Sequence, residues 1–371
     1  MSDRADAAKD FLAGAGWPDA SITPLPGDAS TRRYFRVAQN ARHAMLMDQP
    51  QYAETPAAPS DATAEQRRAL GYNAVARLAG ADCARFVSVA QFLRGQGISA
   101  PEIYAAAPQD GFVLMEYLDG DLYADFIPRG GDEIELYSAA IEILAKLHAA
   151  EAPRILHPEK PLHAYDETAL LAEIDLLTEW FFPAGLGRRA SDDEIAEHRA
   201  LWRETLSTVL DDRAVFVHRD YHAQNLIWLP ARQGIARVGV IDFQDAVAGS
   251  DAYDLVSLLE DARRDVSPEL REAMTTHYLG TMGRMGAPVN EERLRAAMAM
   301  MAAQRNAKII GIFARLYKRD GKPRYLDYLP RVWGYLNADL QHPALARLNT
   351  WYDRVIPRAA RGTPRLEKAS A

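Results

Sequence analysis

The chain has 371 residues, of which 48% are hydrophobic and 25% charged, and its formal net charge at pH 7 is -8. This composition is that of an ordinary globular protein, and the acidic balance argues against a nucleic-acid partner bound through a broad basic surface. The sequence contains one cysteine, Cys83, which excludes an internal disulfide and a cysteine-rich zinc site. The first residues lack the pattern of a signal peptide, and no apolar run approaches the length of a membrane span. We therefore expect a cytoplasmic protein that binds neither a membrane nor a nucleic acid.

Taken in chain order, the apolar pattern predicts a sheet-rich first part. Short β-type runs surround turns in residues 21–50. Residues 51–82 are rich in Ala, Pro, Glu and Asp, which favours an insertion or mobile loop containing a helix over 63–78. Apolar residues at helical spacing predict a helix over 84–95. Two strands bounded by Gly and Pro follow, and they lead to a hinge-like stretch at residues 116–121.

The second part of the chain is predicted to be mostly helical. From residue 131 the apolar residues follow a helical period, except for a strand pair around residues 214–242. The sequence therefore predicts a small sheet-rich part followed by a larger helical part.

The stretch AVFVHRDYHAQNLIWLP, residues 214–230, places a polar cluster between two strand-like apolar runs. Its histidines, His218 and His222, are four residues apart, which is the spacing of a zinc-binding helix. That motif requires both histidines on one helix face and a glutamate after the first. Here a strand-like run precedes the pair and Arg219 takes the place of the glutamate, so we do not expect these histidines to bind a metal.

The order H-R-D-x-x-x-x-N in the same stretch is that of a kinase catalytic loop. Asp220 would accept the proton of the attacking hydroxyl, and Asn225 would hold Mg2+; a tight turn with local hydrogen bonds is the alternative. The next strand-like run, RVGVIDFQDA, ends in Asp242, which supplies a second oxygen ligand. Asn225 and Asp242 suffice for Mg2+, because water and phosphate commonly complete its shell. We therefore predict a kinase-like site with ATP as co-substrate.

On the loop HRDYHAQN, the strand end IDFQDA and the helix start YDLVSLL, the chain resembles the aminoglycoside phosphotransferase and choline kinase-like family over about residues 20–340. The resemblance implies an α+β, bilobal, protein-kinase-like fold. It implies a nucleotide-binding lobe over residues 1–117 and a catalytic and substrate-binding lobe over residues 118–371. In that family an aspartate at the position of Asp254 supports the catalytic loop, and we assign His218 a supporting role as well. A helix cap is the alternative for the aspartate.

Four blocks carry a narrower resemblance: GDASTRRYFRV, VHRDYHAQNL, DFQDAVAGSDAYDLVSLL and QRNAKIIGIFARLYKRDGKPRYL. They are similar to the anomeric sugar kinases of bacterial cell-wall recycling. This resemblance implies phosphorylation of the C1 hydroxyl of N-acetylmuramate and N-acetylglucosamine, so the expected partner is a small amino sugar, and we expect the chain to act as a monomer. The alternatives are another small-hydroxyl kinase, of the aminoglycoside, choline or homoserine type, and a nucleotide-binding pseudokinase.

The first part of the chain departs from the usual kinase pattern. The strand-like run ARHAMLMDQP holds no lysine to contact the phosphates, and the helix-like run 84–95 holds no acid to pair with such a lysine. We expect the phosphate charge to be met by backbone amides, a hydroxyl and one arginine. These would come from the turn residues Ser30, Thr31, Arg32 and Arg33. Strand alternation indicates that one of the two arginines faces solvent, but not which one.

The other site residues follow from their neighbourhood in the sequence. Backbone groups at the hinge are expected to bind adenine, from Glu116, Tyr117 and Leu118. Polar residues beside the catalytic positions and on a later helix are expected to bind the acceptor, namely His222, Gln244, Asp245, Arg305 and Asn306. Arg305 would meet the lactyl carboxylate of N-acetylmuramate; a solvated helix residue is the alternative.

Overall fold

The computed structural model of the chain describes residues 2–26, 31–50, 55–59, 61–156, 160–210 and 214–364, with side chains from residue 4 onwards. The strands are β1 Ser21–Pro24, β2 Arg33–Gln39, β3 Arg42–Asp48, β4 Ile103–Ala107, β5 Phe112–Glu116, β6 Asp121–Leu122, β7 Ile155–Leu156, β8 Lys160–Pro161, β9 Val215–Val217, β10 Leu226–Trp228, β11 Val238–Val240 and β12 Val247–Gly249. The helices are α1 Ser2–Gly14, α2 Ala64–Leu70, α3 Cys83–Gly95, α4 Tyr123–Phe126, α5 Glu133–His148, α6 Glu167–Leu176, α7 Asp192–Leu210, α8 Ala252–Leu259, α9 Pro268–Arg284, α10 Glu291–Lys318, α11 Leu329–Asp339 and α12 Ala346–Val355. Short 3-10 and π-helical segments join several of these elements.

The chain divides into two compact units, each made of several segments. The first unit comprises Met1–Leu147, Ala152–His163 and His218–Ala248, and the second comprises His148–Glu151, Ala164–Val217 and Gly249–Ala371. The sheets and the helical second half confirm the predicted α+β class. A division into functional lobes at residues 117 and 118 stays a prediction.

The first unit contains an antiparallel five-stranded sheet in the order β1-β2-β3-β5-β4. Every second side chain of β2, β3 and β5 lies on the same face of the sheet, where Val37, Leu46 and Leu114 are buried. Helix α1 covers this face, and its Phe11 ring stacks on Phe112 at 5.5 Å between centroids. The strands over residues 21–50 were predicted, whereas α1 was not.

The segment predicted to be an insertion or mobile loop is partly helical. Thr63 and Gln66 form a reciprocal capping box at the start of α2, which is a common signal for the beginning of a helix. The helix ends at Gly71, whose φ of 101° an L side chain rarely adopts. A π-helical turn, Asn73–Arg77, follows, and the buried Arg67 guanidinium donates to two of its backbone carbonyls. The predicted helix over 63–78 is therefore right at its start and too long at its end.

A second, three-stranded sheet of the first unit, in the order β11-β10-β6, carries the motif loops. Leu226 pairs with Val240 across its central hairpin. Consequently residue 225, which ends one loop, and residue 241, which begins the next, meet at the same end of the hairpin, and the Ile241 N–H donates to the Asn225 carbonyl at 3.1 Å.

The second unit is built around the 28-residue helix α10, which packs against α6, α8 and α11. A Cβ at Gly311 would lie 2.3 Å from the backbone of Leu176, so the glycine permits the close approach of α10 to α6. The same two helices share a buried ion pair between Lys308 and Glu173 at 2.7 Å.

Candidate active site

The loop from His218 to Asn225 is held in shape by its own backbone and by buried rings. His218 is 1% exposed, and its Nε2 lies 3.1 Å from the Ile241 carbonyl. Burial lowers the pKa of this histidine, so its ring is neutral at neutral pH. The Tyr221 hydroxyl donates to the Ala140 carbonyl at 2.9 Å. His218 therefore ties the catalytic-type loop to the residue before Asp242, which suits the supporting role predicted for it.

The amide of Asn225 is oriented by the same loop. Its Nδ2 donates to the Asp220 carbonyl at 2.8 Å, so its Oδ1 points the opposite way. Asp220, Asn225 and Asp242 are all partly exposed, whereas most of their neighbours are buried. The hairpin register brings the amide and the Asp242 carboxylate to one end of the sheet. The loop thus presents polar oxygens of the kinds that the sequence motif predicted.

Asp242 adopts a strained backbone conformation that surrounding contacts maintain. Its φ is +61°, a value that non-glycine residues seldom adopt and that clusters at functional sites. Its Oδ1 accepts a hydrogen bond from Gln244 Nε2 at 3.1 Å and lies 3.1 Å from Arg32 Nη1. The next ring, Phe243, is fully buried and packs on Phe86 of α3 at 4.8 Å. These contacts fix the direction of the carboxylate.

The structure separates the two candidate arginines of the first turn. Arg32 is 8% exposed and faces Asp242, whereas the Arg33 side chain is 54% exposed and pairs with Asp48 at the end of β3. Arg32 is therefore the arginine that faces the metal-type carboxylate. Thr31 lies exposed beside it. Ser30, the fourth residue predicted for this turn, lies outside the described residues.

Helix α3, which carries no acidic residue, contains a buried arginine. Arg85 is 3% exposed and donates to three backbone carbonyls: Gln244 at 3.1 Å, Pro161 at 2.6 Å, and Ala246. Burial lowers the pKa of this guanidinium to about 10, which still leaves it charged at neutral pH. Arg85 therefore anchors α3 to the loop that follows Asp242. The sequence motifs gave no signal for these contacts, because the partners are backbone atoms 76 to 161 residues away.

Asp245 was predicted to bind the acceptor, and the structure places it in an ion pair. Its Oδ2 lies 3.1 Å from Arg77 Nη2, at the end of the π-helical turn. Burial alone would raise the pKa of Asp245, but Arg77, Arg32 and Arg219 outweigh that effect and lower it below its usual value. The carboxylate is consequently ionised at neutral pH.

Two further acceptor candidates lie in the first unit beside these groups. His222 is 6% exposed and directly precedes the 3-10 turn that ends in Asn225. Gln244 is 5% exposed, and its buried Oε1 accepts no hydrogen bond from the described residues. Both are therefore close in space to the motif residues, as their sequence positions suggested.

The hinge candidates occupy the end of β5 and the residues after it. The Glu116 N–H donates to the Glu102 carbonyl at 2.7 Å, so that N–H is not offered to adenine. The Glu116 carboxylate is engaged by Arg232. Tyr117 is covered by the Arg36 guanidinium, 4.7 Å from the ring centroid, and Leu118 is buried. Adenine binding by backbone groups of Glu116, Tyr117 and Leu118 stays a prediction.

The remaining predicted residues, Asp254, Arg305 and Asn306, belong to the second unit. Asp254 is fully buried in α8. Arg305 is 6% exposed on α10, with Nη1 3.4 Å from the Glu260 carbonyl. The Asn306 amide donates to the Glu260 carboxylate at 2.8 Å and to Asp339 at 3.0 Å. Asn306 therefore links α10 to Glu260 and Asp339 within the second unit. Acceptor binding by Arg305 and Asn306 stays a prediction.

The chain is similar to known proteins over most of its length. The family model described as "Phosphotransferase enzyme family" matches residues 21–288. The chain belongs to this phosphotransferase family. The chain is 44% identical to an N-acetylmuramate/N-acetylglucosamine kinase of Caulobacter vibrioides over 96% of its own length and 98% of that protein. A protein of the same name from Pseudomonas aeruginosa is 32% identical, with 90% and 89% of the two chains covered.

Solved structures confirm the expected fold. A putative aminoglycoside phosphotransferase from Ralstonia eutropha superposes with a TM-score of 0.58 at 12% identity, covering 94% of this phosphotransferase and 98% of that chain. The resemblance to the aminoglycoside phosphotransferase and choline kinase-like family is thereby confirmed. The described helices include none that combines the length and the apolar character needed to cross a membrane.

Proposed function

We propose that this phosphotransferase is an ATP-dependent sugar kinase that transfers a phosphoryl group to the anomeric C1 hydroxyl of N-acetylmuramate and N-acetylglucosamine. The observation that carries the proposal is the 44% identity to a kinase of that name over 96% of the chain. Similarity of that extent spans both compact units, so it includes the motif loops and the helices of the second unit. The proposed substrates belong to cell-wall recycling, and with ATP as co-substrate the enzyme would act in the cytoplasm as a monomer.

The proposed roles at the reacting atoms rest on the motif loops. Asp220 accepts the proton of the C1 hydroxyl as the oxygen attacks the γ-phosphorus, and His218 and Asp254 support the loop that carries it. Arg32 contacts the phosphates in place of the missing lysine, because it is the buried arginine that faces Asp242. Adenine is held by backbone groups of Glu116, Tyr117 and Leu118, at the boundary in sequence between the proposed nucleotide-binding lobe and the proposed catalytic lobe.

The donor chemistry of the motif loops fits Mg2+. Among the described residues, no group of three His, Cys, Asp or Glu side chains is placed to hold a metal ion. The available donors are one amide oxygen, of Asn225, and one carboxylate, of Asp242, and both are partly exposed. Mg2+ is commonly bound by one or two protein oxygens together with phosphates and water, so this donor pair is sufficient. When bound, the ion would neutralise charge on the phosphates.

The acceptor side is proposed from polar groups near Asp220. His222, Gln244 and Asp245 lie in the same unit, and the buried Gln244 Oε1 supplies a hydrogen-bond acceptor. Arg305 and Asn306 of α10 complete the set that the sequence suggested.

A turnover assay with a substrate panel tests the proposal. The full-length chain would be incubated with ATP, with and without Mg2+, and with N-acetylmuramate, N-acetylglucosamine, an aminoglycoside, choline and homoserine. We expect Mg2+-dependent ADP release with the two amino sugars and a sugar 1-phosphate in the phosphorus NMR spectrum. The 1-O-methyl glycoside of N-acetylglucosamine is the matched control, since it lacks only the free anomeric hydroxyl. A 6-phosphate product, or turnover of the methyl glycoside, contradicts the anomeric assignment.

A further inference from the structure

Arg77 lies in residues 51–82, the segment predicted to be an insertion, and contacts the loop that contains Asp220. It ends the π-helical turn Asn73–Arg77. The Arg219 guanidinium donates to the Arg77 carbonyl at 2.9 Å and to the preceding carbonyl at 3.1 Å. Arg219 directly precedes Asp220 and has a strained φ of +76°. The backbone at Arg77 is therefore fastened to the loop that carries the proposed base.

The Arg77 side chain is less confined than its backbone. It is 26% exposed, and its Nη2 lies 3.1 Å and 3.4 Å from the two oxygens of Asp245. One guanidinium nitrogen thus spans both oxygens, which differs from the two-nitrogen fork of the strongest arginine–carboxylate pairs. The exposed part of the Arg77 side chain is accessible to a second carboxylate that arrives from solvent.

We propose that Arg77 binds the lactyl carboxylate of N-acetylmuramate and so determines the preference between the two amino sugars. This inference rests on the proposed function and names a residue that determines its specificity. N-acetylmuramate and N-acetylglucosamine differ by the lactyl ether, whose carboxylate is the only charged group of either free sugar. An arginine at the acceptor side is the type of residue that distinguishes them, since it forms a charge-assisted bond with one sugar only.

The positions of the arginines favour the acceptor over the phosphate chain as the partner of Arg77. Arg32 faces Asp242, which is the proposed metal side. Arg77 is fastened instead through Arg219 to the stretch beside Asp220, where the attacking hydroxyl must arrive. Electrostatic interactions link Asp245 to both sides, because Asp220 acts on it as well as the arginines. The Arg77 backbone is therefore bonded to the residue before Asp220, and its guanidinium joins this charge network through Asp245.

The test compares kcat/KM for the two sugars in five variants of the full-length chain, one of which, Arg305→Gln, examines the arginine of α10. Arg77→Gln should lower the N-acetylmuramate to N-acetylglucosamine ratio by about 10–100-fold, through loss of N-acetylmuramate turnover, as expected for one lost charge-assisted bond. Arg77→Lys should recover part of the ratio, because it keeps the charge without the fork. Arg68→Gln removes the same charge from an exposed residue of the same segment and should leave the ratio unchanged. The double variant Arg77→Gln/Asp245→Asn should show the same change in the ratio, in addition to the loss that both sugars share through Asp245, which excludes a misplaced Asp245 as the cause of the selectivity.

Three outcomes would overturn the inference. An equal loss for both sugars in Arg77→Gln would assign Arg77 to the phosphoryl group or to scaffolding. A selective loss in Arg305→Gln, with Arg77→Gln unselective, would transfer the carboxylate contact to α10. If the wild-type chain turned over neither sugar while still hydrolysing or transferring from ATP elsewhere, the proposed function would fail and this inference would fail with it.

Discussion

Replacing Arg32 by methionine should weaken the binding of Mg·ATP without changing the binding of adenosine. The Arg32 side chain is 6% exposed, and its Nη1 lies 3.1 Å from the Asp242 carboxylate. If a metal ion binds that carboxylate, as proposed, a phosphate oxygen of the bound nucleotide would offer the guanidinium a further anionic partner. Methionine keeps an unbranched side chain of similar length, so the space beside Tyr34 stays filled, while the charge and the hydrogen bond to Tyr34 are lost.

The magnitude follows from the burial of the pair. A hydrogen bond to a charged group contributes about 1.5–3 kcal/mol, which corresponds to about 10–150-fold in the dissociation constant. The Asp242 side chain is 39% exposed, so water solvates it in the variant and the fold should persist. Mg2+ alone should bind at least as tightly as before, because its competitor for Asp242 has been removed.

The neighbouring residue supplies the matched control. Arg33→Met removes the same charge one position along the chain, but the Arg33 side chain is 54% exposed and pairs with Asp48. A pair of this exposure contributes about 0–1 kcal/mol, so Mg·ATP binding should change by less than about fivefold. Calorimetric titration with a non-hydrolysable ATP analogue, with adenosine and with Mg2+ measures all three effects. Equal losses in the two variants, or an adenosine loss as large as the Mg·ATP loss, would refute the assignment of Arg32 to the phosphates.

Four further variants test other parts of the structure. Asp220→Asn should bind nucleotide normally but lose about 10²–10⁴-fold in kcat, as expected for a general base; near-normal turnover would remove Asp220 from that role. Asn225→Ala and Asp242→Ala should both raise the Mg2+ concentration needed for nucleotide binding, with Asp242→Ala the more damaging because a carboxylate brings charge to the ion. Burial raises the pKa values of Asp339 and Glu260, so the folded state binds protons more tightly than the unfolded chain does. The stability that these two groups contribute is therefore complete below their unfolded pKa values of about 4, and it is lost as pH rises through the raised pKa values of the folded state. Asp339→Asn should therefore have a higher urea midpoint than wild type at pH 8 and lose that advantage near pH 4; an advantage that grows on acidification would contradict the direction of the shift.

The motif residues were predictable because their chemistry is local in sequence. Asp220 and Asn225 lie five positions apart in one loop, and strand periodicity identified the run that ends in Asp242. The structure adds the hairpin register, which brings that run beside Asn225. Periodicity also gave the strands of the first sheet, since one face of each is buried.

The arginine contacts were not predictable, because each depends on distant parts of the chain. Alternation indicated that one of Arg32 and Arg33 faces inward, but only the burial of the first against Asp242 decides between them. Arg77 lies in a segment whose composition suggested a loop, and its partner, Asp245, is 168 residues away. Arg85 bonds to backbone carbonyls, and a carbonyl is present at every residue, so no sequence pattern marks its partner.

The absence of a lysine–glutamate pair can now be understood as a division of two tasks. In protein kinases that pair contacts the phosphates and also couples the helix to the sheet. Here α3 is held by Arg85, whose partners are neutral backbone groups, while Arg32, next to β2, faces Asp242, the proposed metal ligand. A helix anchored to neutral carbonyls does not depend on whether nucleotide is bound, since no charged partner has to be shared with the phosphates. The position of α3 should therefore be the same with and without ATP, and the charge that responds to the nucleotide is that of Arg32 alone among these two arginines.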